Sequence, residues 1–507
     1  MDLSTEKTQD FWFFIEKYIK KYEKLILTIL LAVSFLYITY KVLSYGFMPS
    51  DDALRHIGFA MRDNPEWADV LVIEDKFNID HNAGWHQVLR FLRKTFDLNQ
   101  YDLLAISVGG LFLLLNFFGA ITAPTAVSWC IALLLVLVFD GEVLMRSLRG
   151  RPYIVSSIAT LVVLRLWALG NKENESVPWL QKNWVKNLLT IIALSLGVWI
   201  HGTWYIFLLI PFAFLLAGRT KEALKLTGFV ILATIIGALL TGHFSDFLYY
   251  HFVVPFTIYS EETYNNILVS ENWSGMQSVS WMIFFVIIIA LSIYKNKKTL
   301  NELIYDPAFM LTWLCWAGSI KIARFWVDWG RMGLLFWTAY RVDELIKSSA
   351  SLKKPRVRYC LTVFIIICLI FMCSHDGQGR FTGTTKIQPI DFHGQYTGDA
   401  LEGWAPEPGG IVYNDSMGTF YLHFFTYPHA PWRYIMGFEV GIMKPEDKKV
   451  ARNIDYYEEA EEYLPWVEKM TEKDRIITVK GKLKLPDIEW KKASKYFWIG
   501  RLKKKSE

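Results

Sequence analysis

Residues 25–56 read LILTILLAVSFLYITYKVLSYGFMPSDDALRH, and the reading of this stretch decides the fold. From Leu25 to Gly46 almost every side chain is apolar, and a helix needs about 20 such residues to cross the hydrocarbon core of a bilayer. Two carboxylates, Asp51 and Asp52, follow within a few residues of its end. A membrane helix that delivers an acidic pair to the water boundary is therefore the first feature of the chain. The residues before it, Asp2 to Lys24, mix acids and bases and lack the short basic region and small-residue cleavage site of a signal peptide. The first span is expected to stay in the membrane.

The rest of the sequence has the same character. Of 507 residues, 53% are hydrophobic and 16% aromatic, a balance that calls for lipid as solvent. Hydrophobic runs give about eleven candidate spans, at 25–46, 103–119, 124–140, 153–169, 187–200, 203–218, 224–241, 279–294, 307–323, 330–346 and 358–374. The stretch from Asn187 to Ala217 is split in two because His201-Gly202-Thr203 interrupts it, and because Lys186 and Arg219 prefer the same side. The formal net charge of +5 is small for this length and gives no argument for nucleic acid, which is excluded as a partner. The cysteines Cys130, Cys315, Cys360, Cys368 and Cys373 lie in or beside apolar runs and suggest neither a disulfide framework nor a zinc site.

Lysine and arginine near the span ends set the orientation. Lys17, Lys20, Lys21 and Lys24 precede the first span; Lys295, Lys297 and Lys298 form a second cluster, and Lys347, Lys353, Lys354, Arg356 and Arg358 a third. The loop from Gly242 to Ser280 has no lysine or arginine. These counts predict a cytoplasmic N-terminal segment (1–24), a multi-pass membrane domain (25–374) with a first outer loop at 48–101, and an extracytoplasmic tail (375–507). In that loop Trp85, Val88, Leu89 and Leu92 share a face opposite Arg90, Arg93 and Lys94, which predicts a helix lying on the membrane surface. The tail mixes turns (Pro406 to Gly410), strand-like runs (Gly410 to Tyr413, Arg475 to Val479) and a helical run (Tyr456 to Lys469). It reads as a small mixed α/β domain. Overall the fold class is mainly α, a polytopic bundle.

Several polar groups sit where chemistry needs them. Ser50 or Asp51 can cap a helix; alternatively an ionised Asp51 or Asp52 at the boundary accepts a proton from a hydroxyl or binds a metal. On helical spacing Asp52 and His56 share a face, as do Asp51 and Arg55. Asp140 and Glu142 end the third span, followed by Arg146, Arg149 and Arg151 on the outer side, against the positive-inside tendency. Lys321, Arg324 and Arg331 surround Asp328 among aromatic residues. Guanidinium groups bind phosphate oxygens in a planar fork, so an anionic lipid headgroup is the expected ligand; snorkelling anchors or a local ion pair with Asp328 are the plainer account. His201, beside Trp204 in a short outward turn, is expected at the substrate or as an interfacial hydrogen-bonding residue. Asp80, His81 and His86 match no standard zinc spacing and read as polar residues facing solvent. Walker, HExxH and GxSxG motifs are absent, which argues against an ATP-driven pump, a zinc protease and a serine hydrolase. The sequons at Asn174, Asn272 and Asn414 are too short a pattern to carry weight.

This organisation resembles the GT-C class of integral membrane glycosyltransferases. The likeness lies in an inside N-terminus, an acidic pair after the first span (Asp51, Asp52), a long first outer loop with surface helices, an acid ending the third span (Asp140), and a mixed soluble tail; it covers most of the chain from Leu25 onward. The resemblance implies a polyprenyl-phosphate-linked sugar as donor and a glycan, lipid or protein acceptor. It implies Asp51 or Asp52 as base, Asp140 or Glu142 as a second acid, and Arg324 and Arg331, with Lys321, Arg149 and Arg151, at the donor phosphate; His56, His201 and Trp204 would line the substrate. The class varies in its metal requirement, so a divalent cofactor stays open. The pair is Asp-Asp rather than the Asp-Glu of protein mannosyltransferases. The tail lacks the Trp-Trp-Asp signature of oligosaccharyltransferases, which speaks against transfer to a protein sequon. A transporter or flippase for an anionic lipid-linked substrate is the competing class, and a non-enzymatic scaffold a third. The expected home is a prokaryotic cytoplasmic (inner) membrane, with the tail periplasmic.

Overall fold

The computed structural model describes residues 25–26, 28–44, 49, 51–63, 65–74, 77–169, 182–258, 279–352, 354–373, 388–394 and 401–504. The N-terminal lysines, Ser50, Lys353, the sequons at Asn174 and Asn272, and most of the Gly242 to Ser280 loop lie outside the described residues.

In chain order the helices are α1 (Thr28–Ser44), α2 (Asp52–Met61), α3 (Ala83–Phe96), α4 (Gln100–Thr122), α5 (Ala126–Phe139), α6 (Glu142–Ser147), α7 (Tyr153–Trp167) and α8 (Asn183–His201). They continue with α9 (Trp204–Leu216), α10 (Thr220–Leu240), α11 (Phe244–Ile258), α12 (Ser280–Asn296), α13 (Leu300–Ile304), α14 (Pro307–Ser319), α15 (Arg331–Ser348) and α16 (Pro355–Phe371). Every apolar run noted in the sequence falls on one of these helices. Among them α4, α8 and α10 are long and apolar enough to cross a membrane, and α1, α5, α7, α9, α12 and α16 are shorter apolar helices. Leu239, Val286, Phe364 and Ile367 are exposed, as apolar side chains facing lipid would be. The helix α11, inside the lysine-free loop, has no counterpart in the sequence reading.

Polar side chains stitch the bundle across helices, as Trp129 Nε1 donates to Asn116 at 3.2 Å and Trp167 Nε1 to Thr190 Oγ1 at 2.8 Å. The break between α8 and α9 falls where the sequence places it. Gly202 has φ +75°, and a Cβ there would stand 2.4 Å from the His251 ring, so only glycine suits the turn.

The tail builds a five-stranded sheet, β1 (Ile411–Asn414), β2 (Arg433–Tyr434), β3 (Arg475–Thr478), β4 (Ile488–Lys492) and β5 (Trp498–Leu502), in the order β2-β1-β3-β5-β4. The strand β1 is parallel to β2 and β3, while β5 runs antiparallel to β3 and β4. Helices α17 (Met417–Thr426), α18 (Pro445–Tyr457) and α19 (Leu464–Lys469) complete it. The two expected strands are present as β1 and β3. The expected helix at Tyr456 to Lys469 is not one helix: α18 ends at Tyr457, Glu458 takes φ +58°, and a short 3-10 turn leads into α19, whose first turn holds Pro465.

Loop and tail are joined. Leu71 bridges to Tyr434 and Ile73 to Met443, with Val72 N donating to Tyr434 O at 2.9 Å and Tyr434 N to Val70 O at 2.8 Å. The loop between α1 and α4 thus adds an edge to the tail sheet. Helix α17 packs on α2 so closely that a Cβ at Gly58 would meet the Phe424 ring at 2.9 Å. The helix expected on the membrane surface, α3, turns its apolar stripe inward instead: Trp85 and Leu89 are buried, and Gly84 lies against the Trp199 carbonyl of α8.

Candidate active site

Asp51 is the N-cap of α2, its carboxylate accepting from Asp52 N at 2.6 Å. Arg151 donates to the same carboxylate through Nε at 2.6 Å, and Arg149 reaches it at 3.3 Å. Asp51 is therefore a buried, doubly paired cap. Arg55 pairs with Asp52, at 2.9 Å, rather than with Asp51 as the spacing suggested; an offset of three residues brings the side chains together as well as four does.

Asp52 is the more open carboxylate, its side chain 19% exposed. Tyr421 of α17 donates to its Oδ1 at 2.9 Å, and Arg151 lies 3.7 Å from Oδ2. Burial alone would raise the Asp52 carboxyl, but Arg55, Arg151 and His56 hold it well below the usual range. It is a carboxylate at neutral pH. Burial and the Asp52 charge push the Tyr421 phenol well above its ordinary value, so it keeps its proton and acts as a donor. Tyr421 lies 369 residues from Asp52 in sequence, and no local motif marks it.

The other acids are engaged by arginine. Asp140 accepts two bonds from Arg331, both at 2.7 Å, and one from Trp326 Nε1 at 3.1 Å. Arg331 also reaches Glu142 at 3.3 Å and donates to the Val327 carbonyl at 3.2 Å. The sequence comparison of cations with Asp328 alone missed this pairing. Arg331, 2% exposed, is a clamp between α5 and α15, most of its N–H groups already engaged by Asp140, Glu142 and the Val327 carbonyl. Asp328, fully buried, is paired with Arg146 and, at 3.0 Å, with Arg324. Glu142 is largely exposed, and so is Lys321. Among the arginines read as phosphate ligands, Arg149 and Arg324 present the open faces, with side chains 31% and 23% exposed.

Two residues knit these groups into one region. Tyr153 donates to the Arg146 carbonyl at 2.8 Å and lies within electrostatic reach of Arg146, Asp328, Arg151 and Arg331. His201, bonded to Thr203 Oγ1 at 2.7 Å, lies within reach of Arg324, His251, Asp52 and Arg151 together. His201 thus feels the charge of both Asp52 and Arg324. Trp204, half-buried, packs edge-on against Tyr205.

His86 is buried, as is His56 on α2, and His81 is half-buried. Asp80 accepts from His86 Nδ1 at 2.7 Å, and His86 Nε2 meets His56 Nδ1 at 2.8 Å. Asn414 is buried too, its amide donating to Ser416 and Met436 carbonyls, so its sequon is not open to modification. Among the described residues no group of three or more His, Cys, Asp or Glu converges to hold a metal. The acids face arginines instead, a donor set that does not fit a divalent ion.

These features define a mainly helical fold, with helices apolar enough to cross a membrane, that carries a cluster of acids and arginines. No protein-family model matches the chain, and no curated protein matches its sequence. Among solved structures the chain is similar to the oligosaccharyltransferase of Archaeoglobus fulgidus in the apo form, at 12% identity over 91% of this chain and 70% of that one, with TM-score 0.53. The same enzyme tethered by a disulfide to an acceptor peptide containing the NVT sequon aligns at 10% identity over the same shares, with TM-score 0.49. At such identity the likeness establishes the fold.

Proposed function

We propose that this chain is a glycosyltransferase moving a sugar from a polyprenyl-phosphate carrier to an extracytoplasmic glycan, lipid or protein. In this reading about eleven helices span the membrane, the N-terminus is cytoplasmic, and residues 375–507 with the first outer loop stand outside. The observation that carries it is the open Asp52 carboxylate, held by Arg55 and Tyr421 and adjoining Arg151, with His201 within reach of both Asp52 and Arg324.

Asp52 orients the acceptor hydroxyl and takes its proton as the oxygen attacks the anomeric carbon. The bond from that carbon to the phosphate oxygen breaks on the opposite face, and the configuration inverts. Arg324 and Arg149, with Lys321 at the rim, meet the charge that develops on the leaving phosphate. Asp51, Arg151, Asp140 and Arg331 hold the backbone that carries these groups. No step is routed through a metal.

The test is transfer of a radiolabelled sugar from a polyprenyl-phosphate donor by purified protein in detergent. Asp52→Asn should remove transfer while leaving donor binding intact, and Arg324→Met should weaken donor binding. Transfer by Asp52→Asn at the parental rate refutes the assignment, and uptake of label into proteoliposomes without transfer places the chain with transporters instead.

A further inference from the structure

The array Asp80, His86 and His56 has no part in the scheme above, yet each link is at hydrogen-bond distance and the two rings are sealed from water. Asp80 Oδ2 stands 2.7 Å and Oδ1 2.8 Å from His86 Nδ1, and His86 Nε2 stands 2.8 Å from His56 Nδ1. His86 is 0% exposed and His56 1%, whereas the Asp80 side chain is 19% exposed. Phe59 and Trp67 pack on the His86 ring at 4.6 and 6.1 Å between centroids. The rings cannot turn freely.

Chemistry assigns every proton in this row. A carboxylate only accepts, so His86 Nδ1 carries a hydrogen and donates to Asp80. The neutral ring then has its lone pair on Nε2, which accepts from His56 Nδ1–H. His56 is left with its lone pair on Nε2, one helical turn after Asp52 on the same face of α2 and within its field. Both imidazoles are kept neutral. Burial, Arg55, His86 and His81 lower His56 against the pull of Asp52, and burial, Arg55 and Arg90 lower His86 against Asp80. Asp80, despite burial, is kept ionised by His86, His81 and the Asn82 amide.

We propose that Asp80, His86 and His56 form a charge-balanced imidazole pair that takes the acceptor's proton on from Asp52 during sugar transfer. This rests on the glycosyltransferase reading. The acceptor oxygen forms its bond to the anomeric carbon, the carbon–phosphate oxygen bond breaks with its electron pair leaving on phosphate, and the hydroxyl proton passes to Asp52 and then to His56 Nε2. The imidazolium charge is shared with His86 through their hydrogen bond and balanced by Asp80. When product leaves, the proton returns from His56 Nε2 through Asp52, whose side chain is 19% exposed, to water, so the rings end in the tautomers they began with. His56, His86 and Asp80 are positioning residues in this scheme, acting through Asp52.

The experiment follows kcat against pH for transfer of a radiolabelled hexose from polyprenyl phosphate, in H2O and D2O. Asp80→Asn should lower kcat at least tenfold with KM nearly constant, move the acid limb of the profile to lower pH because the negative charge supporting the imidazoles is gone, and change the solvent isotope effect. His86→Asn, which keeps a polar group against Asp80, should give the same pattern and carries the test if Asp80→Asn does not fold. A merely structural role would lower the amount of active enzyme without moving the acid limb. Variants with kcat within twofold of the parent and an unmoved acid limb overturn the relay and leave glycosyl transfer standing. Parental protein that transfers no sugar overturns that reading and the relay with it.

Discussion

Replacing Arg331 by methionine isolates one partner of the best-formed ion pair in the molecule. The two groups are 2% and 6% exposed and meet through two parallel bonds of 2.7 Å. Two opposite charges about 4 Å apart attract by about 4 kcal/mol at an effective dielectric near 20. Removing one partner of a buried pair typically costs about 3–5 kcal/mol, because the other is left uncompensated. The remaining support for Asp140 would be Trp326 Nε1 at 3.1 Å, a single neutral donor. Unfolding in mixed detergent micelles should therefore show a loss of about 3–5 kcal/mol for Arg331→Met. The double variant Asp140→Leu/Arg331→Met should lose less than Arg331→Met alone, since neither charge remains buried. A loss below about 1 kcal/mol for Arg331→Met, as for a surface pair, or strictly additive single losses, would refute the clamp.

Three further outcomes follow from the same coordinates. Because Asp52 is held low, its contribution to stability is fully present above about pH 4, the ordinary carboxylate value, and is lost as pH falls through the lower native value; Arg55→Met should begin acid unfolding at higher pH than the parent, and coincident acid transitions would contradict this. Tyr421→Phe removes a donor to a charged acceptor at 2.9 Å and should cost about 1.5–3 kcal/mol, read as a lower unfolding midpoint, with an unchanged midpoint counting against the bond. Gly84→Ala places a Cβ 2.4 Å from the Trp199 carbonyl oxygen, so α3 and α8 must separate at a cost of about 1–3 kcal/mol; a thermal midpoint equal to the parent's would show that the contact yields freely.

The bundle was legible because hydrophobic runs of the right length have few other uses, and each run noted from Leu25 to Ser374 falls on a helix. The break at Gly202 was legible because polar and glycine residues interrupt an apolar run. What sequence could not supply was pairing across distance. Arg331 and Asp140 are 191 residues apart, and Arg146 and Asp328 are 182 apart, so weighing the cations around Asp328 against that one acid misassigned their partners. The stripe on α3 was real, but a 3.6-residue period does not say whether lipid or protein receives it. The tail helix was misplaced because the helical run from Tyr456 to Lys469 crosses Glu458, whose left-handed backbone only the structure reveals. His86 looked like a solvent-facing polar residue for the same reason that Tyr421 went unseen: burial is a property of the folded chain.

The strand-like addition of residues 71–73 to the tail sheet has a consequence for biosynthesis. A ribosome adding about 5–20 residues per second needs roughly 20–70 s to travel the 369 residues from Asp52 to Tyr421. Throughout that interval the loop's Val72 amide and the Asp52 carboxylate have been made, but Tyr434 and Tyr421 have not. The site therefore cannot close until the tail has been made, and the newborn protein passes through a stage in which the 71–73 edge is capped only by solvent or a chaperone.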